Sequence, residues 1–189
     1  MTIMISGNGI AGLSAALAVA SARGDVAICG TASPIAPSGG IQIAPNGWQA
    51  LDQLGLFDVV MRRATRLKHI IVRDLTSGAT LTRLPLPNHY ASISRADLLS
   101  FLQEAVHAHA AVKSYAKLIN QAVTKQDCVE LVCDDGHVMK ATALIAADGV
   151  NGFGRQFVTG TVSGLSQYTG RVAMRAEIDA DILPTAFSQ

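Results

Sequence analysis

The amino-terminal segment constrains the fold more than any other part of this chain. The sequence IMISGNGIAG, from Ile3 to Gly12, begins with an apolar stretch and continues into a turn. Gly7, Gly9 and Gly12 give this turn the spacing G-x-G-x-x-G. The residues from Ile10 to Ala22 are mostly small or apolar and include no proline, which favours a helix packed closely on a sheet. The sequence therefore predicts a strand, a glycine turn and a helix.

Each glycine of the turn has its own predicted role in binding a dinucleotide. Gly7 permits the sharp turn out of the strand, and Gly9 has no Cβ atom that would hold a pyrophosphate away from the backbone. Gly12 lets the helix lie close to the strands, and Val26–Cys29 is predicted to be a second, parallel strand. Free N–H groups and a partial positive charge at the start of the helix would face the phosphates.

The first residues of the predicted helix belong to the same binding site. We therefore expect Ile10 and Ala11 to contact the dinucleotide together with the three glycines. A helix terminus stabilises an anion by only about 0.3–2 kcal/mol, so further contacts are needed elsewhere in the chain.

A targeting signal is the main alternative for this segment. No residue from Thr2 to Ala22 is charged, and the small residues near the end of the segment resemble a cleavage site. A secretory signal, however, needs Lys or Arg before its apolar run, and none is present here. A membrane span would not favour three glycines and an asparagine near its start. The nucleotide-binding turn is therefore the favoured interpretation.

Composition limits the class of protein and its setting. The chain has 189 residues, enough for one domain or part of a larger one, and its net charge of +1 gives no electrostatic reason to expect nucleic acid or acidic membrane as a partner. A mean hydropathy of +0.31 predicts a sheet buried on both faces, or an apolar surface that a partner covers. Three cysteines without a C-x-x-C pair indicate a reducing, cytoplasmic setting, and five scattered histidines predict no metal site.

The end of the second predicted strand lacks a residue that dinucleotide sites normally have. An Asp or Glu there accepts hydrogen bonds from the ribose, whereas this chain has Gly30, and Asp25 lies at the other end of the strand. Losing a hydrogen bond to a charged group costs roughly 1.5–3 kcal/mol, or about ten- to a hundredfold in affinity. We expect Thr31 or Ser33 to replace the missing carboxylate in part.

A second block of sequence resembles a known family. The sequence GGIQIAPN from Gly39 to Asn46, followed by LDQLGL from Leu51 to Leu56, is similar to the single-component FAD-dependent aromatic hydroxylases, which include salicylate- and p-hydroxybenzoate-type enzymes. This resemblance implies FAD as the cofactor. It also implies that Gly40, Ile41 and Gln42 run past the isoalloxazine ring. Trp48, by contrast, is predicted to be a core residue of the helix that begins at about Pro45.

Two further segments carry the same resemblance. Ser94 is predicted to cap a helix that runs to about His109, and the resemblance implies that Arg95 contacts the flavin, although a solvated side chain is the plain alternative. The apolar run Ala143–Ala147 predicts a buried strand that ends at Asp148 and Gly149. The resemblance implies that this Asp-Gly pair touches the FAD pyrophosphate region and the nicotinamide donor. Alternatively, Asp148 merely caps the following turn.

The expected fold is α/β. It consists of a Rossmann-like FAD-binding domain with a parallel sheet, plus the beginning of a mixed β-sheet substrate domain. Residues 1–66 and 90–160 are assigned to the first domain and residues 67–89 and 161–189 to the second, with a strand expected at 168–178. Members of the resembled family continue for about as long again. We therefore expect a fragment, a truncated product or one piece of a split enzyme.

The resemblance implies an FAD-dependent monooxygenase. NADH or NADPH would reduce the FAD, and O2 would supply the oxygen that is transferred to an aromatic or related small molecule. No catalytic side chain is identified, because the flavin carries the chemistry. The expected partners are that substrate, O2, and a missing carboxy-terminal half or a second copy, with no nucleic acid and no integral membrane segment. An NAD(P)-dependent dehydrogenase and a non-catalytic remnant or interaction module remain as alternatives.

Overall fold

The computed structural model describes residues 2–22, 24–31, 39–160, 168–173 and 180–182. In chain order its strands are β1 (Thr2–Ser6), β2 (Asp25–Cys29), β3 (Gly40–Ile43), β4 (Thr65–Arg66), β5 (His69–Arg73), β6 (Thr80–Pro85), β7 (Ala91–Ser94), β8 (Val112–Tyr115), β9 (Ile119–Thr124), β10 (Val129–Cys133), β11 (Val138–Ala141) and β12 (Ala143–Ala146). Its helices are α1 (Ile10–Ser21), α2 (Pro45–Gln53), α3 (Phe57–Arg63), α4 (Arg95–Ala108) and α5 (Phe153–Thr159), with a 3₁₀ turn at Ala180–Ile182.

A four-stranded parallel sheet in the order β12-β1-β2-β8 forms the centre of the fold. β1 pairs with β2 through Ile5 and Ile28, and it pairs with β12 through Ile5 and Ile145. Because α1 connects β1 to β2, the predicted strand, glycine turn, helix and parallel strand are confirmed. The helix ends at Ser21, one residue before the predicted end.

Both faces of β1 and β2, the two central strands of this sheet, are covered, as one of the two interpretations of the hydropathy predicts. Ile5 points into a cluster formed with α1 and α4, to which Leu13 and Leu102 belong. Its neighbour Met4 points to the other face, where it packs with Leu131 and the rest of the antiparallel sheet β11-β10-β9. Alternate side chains of one strand therefore contribute to two separate cores.

The remaining strands form two small sheets. One has the order β3-β7-β4, and the other is the hairpin of β5 and β6. The hairpin extends into the proline-rich segment that follows it. Pro85 is the last residue of β6 and pairs with His69. Proline has no backbone N–H to donate to a neighbouring strand. The end of an edge strand tolerates this loss.

Two other predictions concern α2 and the carboxy-terminal part of the chain. Trp48 is buried and meets the edge of Phe57 with ring centroids 5.4 Å apart, as expected of a core residue. The strand predicted at 168–178 is absent from the described residues 168–173, and residues 174–178 lie outside the described part of the chain, as does Ser33.

Candidate cofactor site

The carboxyl ends of three parallel strands meet at the glycine turn. The backbone N–H of Gly7 donates to the carbonyl of Cys29 at the end of β2, with an N···O distance of 2.7 Å. The N–H of Ala147, just after β12, donates to the carbonyl of Ser6 at the same distance. Gly7 has a φ of +104°, and a Cβ atom there would lie 2.8 Å from the Cα of Asp148. The tight corner therefore requires glycine at position 7.

Gly12 and Gly9 meet different requirements. A Cβ atom on Gly12 would overlap the carbonyl oxygen of Gly7 and lie 2.8 Å from its carbonyl carbon, so the helix could not remain in place. A Cβ atom on Gly9 would have no atom of the described protein within 4 Å. Gly9 is exposed, and it is the residue that precedes the first turn of α1. Protein packing thus explains Gly12 but does not explain Gly9.

A cavity of about 810 Å³ opens in front of this corner. Its lining includes Gly7, Gly9, Thr31, Asp148 and Gly149, which come from three separate segments of the chain. The volume is within the range of small-molecule and cofactor sites. The start of α1 also contributes a partial positive charge, which suits an anionic group.

Two smaller cavities adjoin the start of α1. One, of about 360 Å³, is lined by Ile10 together with Ile41 and Gln42 of β3. The other, of about 430 Å³, is lined by Ala11 together with Asp148 and Gly149. The start of α1 therefore lies between the predicted contacts on β3 and those after β12.

Three of the predicted site residues, Gly12, Gly40 and Arg95, lie outside these linings, and Gly12 is instead buried against the carbonyl group of Gly7. Gly40, the first residue of β3, is exposed and pairs with Ser94 of β7. Arg95 begins α4 with an exposed side chain, and its backbone N–H donates to the carbonyl of Gly39 at 2.9 Å. Ser94 caps this helix as predicted, since its hydroxyl accepts from the N–H of Asp97 at 3.3 Å. Contact of Arg95 with a flavin stays a prediction.

Asp148 has a structural role, although its hydrogen bond reaches past the turn at residues 150–152 that the alternative interpretation predicts it to cap. Its carboxylate accepts a hydrogen bond from the backbone N–H of Gly154 at 2.9 Å, in the first turn of α5. Gly152 and Gly154 both lie against this carboxylate, where a Cβ atom would collide with it. Gly149 follows with a φ of +83°. The carboxylate is half-buried and borders two of the cavities, so the hydrogen bond does not remove it from the candidate site.

Sequence reasoning missed Asn8. A Cβ atom on Gly30 would lie 2.8 Å from both the backbone nitrogen and the Cγ atom of Asn8. Asn8 therefore occupies the space into which an Asp or Glu at position 30 would extend. The available signal was a polar residue inside the glycine turn combined with the absence of an acid at position 30.

Cys29 and Cys133 offer no activated nucleophile. Burial raises the pKa of Cys29 to about 11, with a further increase from the neighbouring Cys133, whose own pKa is also raised by burial. Thiols with raised pKa values stay protonated and weakly nucleophilic near neutral pH. Within the described ranges, no group of three or more His, Cys, Asp or Glu side chains could hold a metal ion. Over the same part of the chain, no helix is long and apolar enough to cross a membrane.

Proteins of similar sequence hydroxylate aromatic rings. The 3-hydroxybenzoate 6-hydroxylase 1 of Aquipseudomonas alcaligenes is 32% identical over 193 residues, which cover 96% of this chain and 48% of that protein. The 3-amino-4-hydroxybenzoate 2-monooxygenase PtmB3 of Streptomyces platensis is 32% identical, with 98% and 48% covered. This chain is a homologue of the FAD-dependent aromatic-ring monooxygenases. It spans about half the length of the curated relatives it matches. No protein-family model matches it.

Solved structures agree with this relationship. A variant of HpxO from Klebsiella pneumoniae, crystallised with FAD, is 27% identical and has a TM-score of 0.70, with 85% of this chain and 42% of that chain covered. The probable FAD-dependent monooxygenase pqsL from Pseudomonas aeruginosa has a TM-score of 0.75 at 19% identity, with 89% and 48% covered, and supports the fold alone. The Rossmann-like architecture predicted from the sequence is confirmed.

Proposed function

We propose that this chain is the FAD-binding part of a monooxygenase that hydroxylates an aromatic or related small molecule, using NADH or NADPH and O2. The observation that carries the proposal is Gly9, which no contact within the described protein requires to be glycine. It lies at the start of α1, in front of the cavity of about 810 Å³. A bound pyrophosphate supplies the missing reason, because its oxygens approach the backbone where a Cβ atom would project.

The residues around the corner fit the parts of FAD. The backbone of Gly7, Gly9, Ile10, Ala11 and Gly12 would hold the diphosphate through N–H groups and the helix dipole. When bound, FAD supplies the hydride-accepting and oxygen-activating chemistry, whereas the protein binds it, orients it and excludes water.

The remaining contacts would fix the two ends of the cofactor. Gly40, Ile41 and Gln42 of β3, together with Arg95, are proposed to lie along the flavin side. Asp148 and Gly149 would hold the region between diphosphate and nicotinamide donor, and Thr31 would lie near the adenosine. The cavity of about 360 Å³ brings β3 close to Ile10, which supports placing the flavin on the β3 side of the glycine turn.

We propose that the chain is divided into the same two parts that the sequence predicts. Residues 1–66 and 90–160 would bind FAD, while residues 67–89 and 161–189 would belong to the substrate-binding part. The hairpin of β5 and β6 supports this division, because it pairs with no other described strand and exposes Leu81 and Leu84. We propose that turnover requires the region corresponding to the other half of the relatives, on the same or a separate chain. Three free cysteines favour a cytoplasmic setting.

The test is the visible absorption spectrum of the purified chain before and after addition of FAD, followed by gel filtration to remove unbound cofactor. We expect flavin absorbance to coelute with the protein and to bleach when NADH or NADPH is added together with the complementary half. A folded chain that retains no flavin at saturating FAD would overturn the proposal and favour the non-catalytic alternative. The relatives named above give no support to an NAD(P)-dependent dehydrogenase.

A further inference from the structure

The end of β2 lies where ribose hydroxyl groups are normally recognised in dinucleotide sites. Gly30 stands at this position, and its N–H donates to the carbonyl of Tyr115, the last residue of β8, at 3.1 Å. A Cβ atom on Gly30 would lie 2.8 Å from the backbone nitrogen of Asn8 and 2.9 Å from its Cβ atom. An acidic side chain at position 30 is therefore incompatible with this arrangement of the glycine turn.

The side chain of Asn8 lies in that space instead. It is half-buried and lines the cavity of about 810 Å³ together with Gly30 and Thr31. Among the residues that the structure describes, no side-chain hydrogen bond to Asn8 is formed. A primary amide offers two N–H donors and one carbonyl acceptor, so it can accept from one hydroxyl and donate to another.

We propose that the Asn8 amide binds the ribose hydroxyl groups in the adenosine half of FAD, in place of the carboxylate that such sites carry at the end of the second strand. This inference rests on the proposed function, because it assigns a contact within the same FAD site. Asn8 adjoins Gly7 and Gly9, where the diphosphate would lie, so the ribose next to the diphosphate is within the reach of a short side chain. The side chain that binds the ribose thus comes from the glycine turn and not from the end of β2.

Thr31 is the competing candidate, since it lines the same cavity and carries a hydroxyl group. Its side chain is exposed, and it lies one residue beyond the tight contact between Gly30 and Asn8. Thr31→Val keeps the shape of that side chain and removes its hydroxyl group. Comparison of Thr31→Val with Asn8→Ala therefore shows which of the two side chains makes the larger contribution to recognition of the ribose.

The experiment measures dissociation constants of the full chain by quenching of flavin fluorescence. The ligands are FAD and two FAD analogues, in which the adenosine lacks the 2′- or the 3′-hydroxyl group. Wild-type protein should bind FAD about two- to tenfold more tightly than at least one analogue, the range expected for one neutral hydrogen bond. Asn8→Ala should abolish this preference and the remote control Asn88→Ala should retain it, whereas Thr31→Val should reduce it less than Asn8→Ala does. A purely structural role of Asn8 would weaken all three ligands equally.

The outcomes separate this inference from the proposed function. Wild-type protein that binds no FAD overturns both. Wild-type protein that binds FAD and both analogues with equal affinity overturns the inference alone, and this measurement needs no variant. A preference that survives in Asn8→Ala, or that Thr31→Val reduces as much as Asn8→Ala does, also overturns it.

Discussion

Replacing Gly9 by alanine distinguishes the contribution of this residue to stability from its contribution to FAD binding. The backbone of Gly9 has φ −78° and ψ −175°, which alanine adopts without strain. The added methyl group would have no described protein atom within 4 Å, so it would project into the cavity in front of α1. We therefore expect a folded protein whose binding site is partly filled.

The two effects of Gly9→Ala differ in size. Alanine is a poorer residue than glycine before the first turn of a helix, which lowers the free energy of unfolding by about 0.5–1 kcal/mol. In the cavity, the methyl group would keep the diphosphate from the backbone N–H groups. Loss of one hydrogen bond to a charged oxygen costs about 1.5–3 kcal/mol, so the dissociation constant of FAD should rise about 10- to 150-fold.

Gly12→Val provides the matched comparison at the same corner. Its Cβ atom would overlap the carbonyl group of Gly7, so α1 must move away from the sheet. Overpacking of this kind costs typically 1–3 kcal/mol and sometimes more, and we expect both stability and FAD binding to be lost. Urea unfolding followed by circular dichroism measures stability, and fluorescence titration with FAD measures binding. If folded Gly9→Ala binds FAD as tightly as the wild-type protein, the diphosphate does not lie at this corner.

Three further predictions concern Asp148 and the cysteines. Asp148→Asn should weaken the hydrogen bond to Gly154 and destabilise the chain by about 0.5–1.5 kcal/mol in urea unfolding, whereas an unchanged midpoint would show that α5 does not depend on this carboxylate. Burial raises the pKa of Cys29 from 9.0 to about 11, so the unfolded state releases the thiol proton at a lower pH than the folded state does. The free energy of unfolding should therefore fall between pH 9 and about 11, by at most about 1.4 kcal/mol per pH unit. Cys29→Ala should remove that part of the slope, and equal slopes in both proteins would contradict the assignment. A thiol reagent at neutral pH should modify half-buried Cys128 before the buried Cys29 and Cys133, as peptide mass mapping of the folded chain would show.

The sequence predicted the elements of the corner but not all of its contacts. The spacing of Gly7, Gly9 and Gly12 predicts a strand, a turn and a helix, because each glycine relieves a local conflict within a few residues. From the sequence alone, Gly30 indicates only a missing carboxylate, because the contact that requires glycine there is made with Asn8, more than twenty positions earlier in the chain. A contact between residues so far apart leaves no periodic pattern, so only the assembled structure shows it.

Asp148 illustrates a second limit of sequence reasoning. Its place after an apolar strand predicts a carboxylate at the cofactor edge, and the same place also predicts a cap for the next turn. The structure shows the cap through Gly154 while leaving the carboxylate on the cavity wall. One side chain can satisfy both descriptions, so the sequence could not have separated them.

The glycines of the corner differ in what explains them. Gly7 is required by the close approach of Asp148, Gly12 by the carbonyl group of Gly7, and Gly30 by Asn8. Gly9 has no such neighbour among the described residues, although glycine carries a cost in backbone entropy that a side chain able to cap the helix would reduce. A chain that kept this corner for packing alone would gain stability by placing another residue with a suitable side chain at position 9. The free space in front of Gly9 is therefore the feature of this fold that a bound phosphate explains and that protein contacts do not.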